Sequence, residues 1–310
     1  MFSQNPASQG TFASEGTTIA PLLGSKIDTL LGNSSEVWMQ LRTLLGKDCL
    51  KMPVTEGRSF RREKLKVEIY PTREEAGAAA AEATAAEMKR LGQEKDTISI
   101  IFATGASQLS TLRALTAIPG LPWERVEGFH MDEYVGIPPE HRASFRRYMR
   151  MELTERVRTL RFHEINGNAF SSDHECQEYT DALRLAKPQL CLLGIGENGH
   201  LAFNDPGVAD FEDPLDMKVV DLDSECMQQQ VAEGWFASVN DVPAQALTLT
   251  IPALLRVPKL ILSVPGSRKA AIVKRTLSEA ISTNCPATIL RTHPDATVYL
   301  DRESAAELEA

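Results

Sequence analysis

From Leu65 onward the chain alternates short apolar runs with longer helical patterns, and this alternation limits the possible folds more than any other feature. Runs at 67–70, 97–103, 126–131, 189–194, 246–250, 259–264 and 297–300 read as strands. Between them, helical patterns fall at 72–91, 107–117, 143–157, 172–186, 251–256 and 267–280, with a short acidic tail helix at the end. Thr72 followed by Glu75 gives the first of these a capping-box start. Strands joined through helices must cross over and run parallel, and a parallel sheet has to be buried on both sides. The expected class is therefore α/β: a Rossmann-like, mostly parallel sheet with helices on both faces. Ligands in such sheets bind beyond the carboxyl ends of the strands, so the residues that follow each strand come first in the search for function.

The alternation does not extend to the start of the chain. Residues 1–63 read as an N-terminal extension, partly flexible or helical, and residues 64–310 as the α/β domain. Ser, Thr, Gly and Asn dominate the first 25 residues, and helical fragments around Leu30 and around Trp38, Leu41 and Leu45 suit a docked hairpin or an intersubunit arm. Arg58, Arg61, Arg62, Lys64 and Lys66 form a basic run that reads as a solvated junction. A 310-residue chain that is 43% hydrophobic can build a substantial core. Its net charge of −9 disfavours nucleic acid and anionic membranes as partners. The five cysteines are scattered without a CxxC pair, as suits a reducing cytoplasm. No run approaches the roughly 20 apolar residues of a membrane span, and no basic-then-apolar leader opens the chain. The expectation is a cytoplasmic protein with a small-molecule partner; a homo-oligomer is compatible with the sequence and not required by it.

Three strand ends carry chemistry. The stretch 192–206, LLGIGENGHLAFNDP, breaks from an apolar run into a loop holding Glu197, Asn198, His200, Asn204 and Asp205. A histidine among polar partners can move protons near neutral pH; alternatively, the glycines serve a turn and the histidine makes one structural hydrogen bond. Thr104-Gly105-Ala106-Ser107 passes from strand to helix through small residues. Such a turn lets backbone N–H groups approach an anion at the positive end of a helix, or it is simply a tight turn with Ser107 as N-cap. It is neither a Walker A loop nor GxGxxG. Finally, His130-Met131-Asp132-Glu133-Tyr134 places two acids at the end of a buried strand, where a carboxylate without a task is costly. Asp132 stands out there, with a capping role as the alternative, and His130 reads as a packing residue.

Together these stretches resemble the glucosamine-6-phosphate deaminase (isomerase) family, from about Val67 to Asp301. The resemblance implies that Asp132 is the base moving a proton between C2 and C1 of the open-chain sugar, and that His200 opens the pyranose ring. It assigns Asp205 to orienting His200, one methylene shorter than the Glu usual there, and it puts Asn198 where some members have Asp. Thr104, Gly105, Ala106 and Ser107, with Lys269, would hold the substrate phosphate; Ala106 and Ser107 depart modestly from the family's usual Gly and Thr. Enzymes of the family often carry an Arg where this chain has Gly234, so phosphate binding must be redistributed to Arg268, Lys269 or another Arg. Arg291 and His293 match a family stretch and read as structural.

The implied reaction is D-glucosamine 6-phosphate plus water giving D-fructose 6-phosphate plus ammonia, with no metal, nucleotide or organic cofactor. Three other readings stand beside it. One is a deaminase or isomerase of another amino-sugar phosphate. A second is a 6-phosphogluconolactonase, whose loop usually reads GHTASLFP where this chain has GHLAFNDP. The third is a non-catalytic sugar-phosphate-binding regulator.

Overall fold

Side-chain alternation sorts the apolar runs onto two faces of one sheet. The computed structural model describes residues 58–232 and 234–308; the helical fragments read at 27–45 lie outside them. In strands β3 (Ile98–Phe102), β7 (Leu190–Leu193) and β10 (Lys259–Ser263), residues Ile98, Ile100, Phe102, Leu190, Leu192 and Ile261 pack on one side. There they meet helices α1 (Arg73–Glu94) and α2 (Leu109–Ala117) through Ala80, Met88, Leu112 and Leu115. Their neighbours Ile101, Cys191, Leu193, Leu260 and Leu262 face the other way. That second layer comprises α4 (Ser172–Ala186), α6 (Ile251–Leu255) and α7 (Ala270–Ser278); α3 (Phe145–Met149) precedes α4 in the chain and α5 (Ser224–Ala232) precedes α6.

The sheet has eight strands in the order β1-β2-β11-β10-β7-β3-β4-β6, where β1 is Arg58–Arg62, β2 Leu65–Tyr70, β4 Val126–His130, β6 Arg161–His163 and β11 Ala296–Asp301. Every pairing is parallel except β1 with β2. Chain connections after β3 proceed toward β4 and β6, whereas those after β7 proceed toward β10 and β11. The direction therefore reverses between the adjacent strands β3 and β7, which opens a crevice between the loops at their carboxyl ends.

A second, three-stranded antiparallel sheet, β5-β9-β8, was not anticipated. After β4 the chain leaves the main sheet and pairs β5 (Asp132–Tyr134) with β9 (Gln245–Leu249), which in turn pairs with β8 (Met217–Asp221). The strand read at 246–250 thus belongs to this small sheet. It packs Tyr134, Phe203 and Phe236 into a separate aromatic cluster and holds Asp132 beside the crevice.

Other expectations need correction. The basic run is a strand: Arg58–Arg62 pairs with β2, so the sheet begins before residue 64, and its charged edge disfavours pairing with another chain. The helix read at 143–157 shrinks to α3, followed by a wider π turn at Arg150–Thr154. Its start is set by tertiary structure, because the Glu133 carboxylate accepts the N–H groups of Phe145 and Arg146. The acidic tail forms turns, folded back by the Asp301 carboxylate accepting the Ser304 N–H at 2.7 Å. Strand β6, strand β8 and helix α5 went unread in the sequence.

Candidate active site

At the crevice the strand ends enclose a cleft of about 230 Å³ lined by Thr104, Gly105, Ala106, Ser107, Asp132, His200 and Lys269. Residues from three separate sequence stretches, with Lys269 from a fourth, thus meet in one cavity. Asn198 and Asp205 stand behind His200 rather than on the wall.

The loop after β7 is built to hold an imidazole. A methyl group on Gly196 would lie 2.2 Å from Cε1 and Nε2 of His200, so only glycine lets the ring pack against this backbone. Nδ1 of His200 lies 2.8 Å from Oδ1 of the fully buried Asp205. Asn198 braces both partners: its Nδ2 donates to Asp205 Oδ1 at 2.8 Å, and its Oδ1 accepts the His200 N–H at 3.0 Å. Burial would raise the Asp205 carboxyl, but the interactions with His200 and Asn198 outweigh it and hold the group below the usual carboxylate range. Asp205 is therefore ionised at neutral pH. With Nδ1 committed to it, Nε2 is the ring nitrogen left for the cleft. Asn204 closes the loop, its Nδ2 donating to the carbonyls of Leu201 and Leu249 at 2.8 Å each, while Ala202 is held at a φ of 51°.

The two acids of β5 divide their tasks. Glu133 is buried and surrounded by donors: the Ser144 hydroxyl at 2.8 Å, the N–H groups of Tyr134, Phe145 and Arg146, and the Arg146 guanidinium at 3.3 Å. Arg146 continues to Asn166, Asn168 and the Ile137 carbonyl. This saturated network anchors β5 and the loop beyond it. Asp132, by contrast, is 6% exposed, and its Oδ1 is buried without a hydrogen-bond partner. Burial, with the neighbouring Glu133 charge, pushes its carboxyl well above the usual range. A carboxylate raised this way is a stronger base once ionised. His130 is buried completely, its Nε2 accepting the Ile165 N–H at 2.7 Å, and burial lowers it to about 3, so it stays neutral and structural.

The opposite end of the cleft gathers three cations, Arg73, Arg268 and Lys269; one further acid, Glu303, also lines the cleft. Two strand-to-helix turns face it, one at Gly105 (φ 95°) leading into α2 and one at Gly266 (φ 98°) leading into α7. Each is a helix start, where backbone N–H groups can meet an anion. Asp301 accepts the Gly266 N–H with both oxygens at 3.0 Å and fixes the second turn, and Gln108 ties the turns together by donating to the Leu193 and Ser263 carbonyls. Lys269 lines this end, only 8% exposed, and Arg268 lies 3.3 Å from Glu197.

Arg73, missed in the sequence, also reaches into the cleft from the first turn of α1. Its Nη2 lies 2.7 Å from where a side chain on Gly266 would begin, so glycine makes room for the guanidinium. The rule that ligands sit beyond strand carboxyl ends, applied to β2, would have flagged it. Gln229 and Gln230 of α5 also line the wall, and only tertiary structure brings that unread helix here. Gly234 lies outside the lining, with Nη2 of Arg142 at 3.8 Å from its side-chain position. Arg291 and His293 are buried away from the cleft, bonded to backbone carbonyls. Among the described residues one group could hold a metal ion: His200, Asp205 and Cys226.

Residues 71–299 match the family described as glucosamine-6-phosphate isomerases/6-phosphogluconolactonase. The glucosamine-6-phosphate deaminase of Bacillus thuringiensis (strain Al Hakam) is 34% identical over 210 residues, 68% of this chain and 78% of that protein. The deaminase of Bacillus anthracis (strain CDC 684 / NRRL 3495) matches to the same extent. Among solved structures, a monomeric glucosamine-6-phosphate deaminase superposes with a TM-score of 0.72 at 32% identity, covering 78% of this chain and 99% of its own. The 6-phosphogluconolactonase of Thermotoga maritima gives a TM-score of 0.63 at 20% identity over 77% of this chain and 100% of its own, a likeness of fold alone.

Proposed function

The chain belongs to the family of glucosamine-6-phosphate isomerases and 6-phosphogluconolactonases, and we propose that within it this protein is an enzyme converting D-glucosamine 6-phosphate and water to D-fructose 6-phosphate and ammonia. One observation carries this reading: a buried, unpartnered carboxylate, Asp132, shares a cleft with a histidine whose other nitrogen is held by a buried acid. An aldose–ketose shift needs a base that reaches two adjacent carbons, and ring opening needs a group that can exchange protons with two oxygens.

In the proposed sequence, His200 Nε2 takes the proton of the anomeric hydroxyl and returns one to the ring oxygen, breaking the C1–O5 bond to give the open-chain aldehyde. Asp205 and Asn198 keep the imidazole oriented. Asp132 then removes the C2 proton and redelivers it to C1 while a proton passes from the C2 amine to O1, leaving a C2 imine and a C1 hydroxyl. Water adds to that imine and ammonia leaves. The phosphate sits at the cationic end, on the backbone of the Thr104–Ser107 and Gly266–Lys269 turns and on the side chains of Lys269 and Arg73. Arg73 thus supplies the guanidinium that position 234 lacks.

Ammonia release from glucosamine, galactosamine and N-acetylglucosamine 6-phosphates tests the proposal, with 6-phosphogluconolactone hydrolysis measured alongside. Glucosamine 6-phosphate is expected to be turned over fastest. A folded protein that releases no ammonia from it, or that prefers the lactone, would refute the reading.

A further inference from the structure

Beside the acid/base pair lies a thiol that the proposed reaction does not use. Cys226, on α5, is 1% exposed, and its Sγ, a ring nitrogen of His200 and a carboxylate oxygen of Asp205 all lie within 4.8 Å of one another. We propose that these three side chains form an inhibitory site for a thiophilic divalent cation, with Zn2+ the best match. The inhibition rests on the role given to His200 above; the binding does not.

The donor set is what selects the ion. A thiolate, an imidazole and a carboxylate together suit zinc, whereas magnesium and calcium prefer oxygen ligands alone. Ligands around a tetrahedral zinc, at bond lengths of about 2.0–2.3 Å, stand roughly 3.5 Å apart. No edge of the cluster therefore has to close by more than about 1.3 Å, and the His200–Asp205 edge has to open by about 0.7 Å, both within side-chain adjustment. His200 Nδ1 and Asp205 Oδ1 are already 2.8 Å apart, and Asn198 supports Asp205 from outside as zinc-bound carboxylates are commonly supported. Water reaching His200 from the cleft would fill the fourth position.

On binding, the Cys226 S–H bond breaks as the S–metal bond forms, and the proton passes to solvent. The imidazole loses its function whichever nitrogen binds. Ligation through Nδ1 forces the ring proton onto Nε2, and ligation through Nε2 consumes that lone pair directly. In neither case can Nε2 accept the proton of the anomeric hydroxyl. The cation lies at the imidazole rather than at the phosphate end, so kcat falls while KM changes little.

Cobalt(II) titration of the full-length protein tests binding without substrate, because a thiolate–cobalt bond gives a near-ultraviolet charge-transfer band. One equivalent is expected to produce that band, and Zn2+ to displace it. Cys226→Ser should abolish the band, weaken Zn2+ at least about tenfold in chelator competition, and keep metal-free kcat/KM within about twofold. Wild-type protein without the band overturns the proposal, as does a band or Zn2+ inhibition that persists in Cys226→Ser. A band with no deaminase activity leaves the metal site standing and refutes only the reaction.

Discussion

Replacing Gly196 with alanine probes the His200 geometry without altering any group that carries a proton. The new methyl group would stand 2.2 Å from Cε1 and Nε2 of the imidazole. Carbon contacts are comfortable only from about 3.5 Å, so the ring has to move by about 1.3 Å. It cannot move freely, because Nδ1 is held 2.8 Å from a fully buried Asp205 that is itself tied to Asn198. Either the ring swings out of line with Asp205 or the whole loop shifts. A misplacement of about 1 Å in a catalytic group costs on the order of 10²-fold in rate, and overpacking of this kind costs about 1–3 kcal/mol of stability. The phosphate end of the cleft is untouched, so the loss should fall on kcat and leave KM nearly unchanged. The assay is steady-state ammonia release from glucosamine 6-phosphate, with a thermal melt to establish that the variant folds. A folded Gly196→Ala enzyme whose kcat stays within about threefold of wild type would remove His200 from the reaction.

Four further outcomes follow from the same geometry. The Asp132 carboxyl is raised by burial above its unfolded value of about 3.9, so the native state binds the extra proton between the two values and stability falls as pH rises through that window. Asp132→Asn should therefore raise the melting temperature more at about pH 7 than at about pH 4, while lowering kcat by about 10²–10⁴-fold; equal stabilisation at both pH values, or more than a tenth of the activity, contradicts this. Because the base must be ionised to act, wild-type kcat/KM should rise with pH through a range above that of ordinary carboxyls. Arg73→Ala and Lys269→Ala should each raise KM by about tenfold or more, with smaller changes in kcat, and turnover of unphosphorylated glucosamine at the rate of the phosphorylated sugar would place the phosphate elsewhere. Arg146→Met leaves Glu133 buried without its cation and should cost about 3–5 kcal/mol in denaturant unfolding; a loss under about 1 kcal/mol would show that the backbone donors alone satisfy Glu133.

The alternation of apolar runs and helices fixed the class of this protein before any coordinates, because a run such as Leu190–Leu193, apolar at every position, has to be buried on both faces. His200, Asp132 and the Thr104–Ser107 turn were legible for a related reason: each lies in the stretch beyond the end of a parallel strand, β7, β4 and β3 in turn, and that is where a crevice opens. Local rules failed wherever the partner was distant in sequence. The start of α3 is set by the Glu133 carboxylate from another element. Strand β5, of three residues, is too short to announce itself, and β8 mixes Lys218 and Asp221 into its apolar run; both exist by pairing with β9. Arg73 follows an unremarkable capping threonine, and its place in the cleft comes from the absence of a side chain at Gly266, nearly two hundred residues on. The division of labour between Asp132 and Glu133, adjacent acids on one strand, was likewise open in the sequence. Successive side chains on a strand point to opposite faces, and the surroundings of each face decided which acid is saturated with donors and which is left bare toward the cleft.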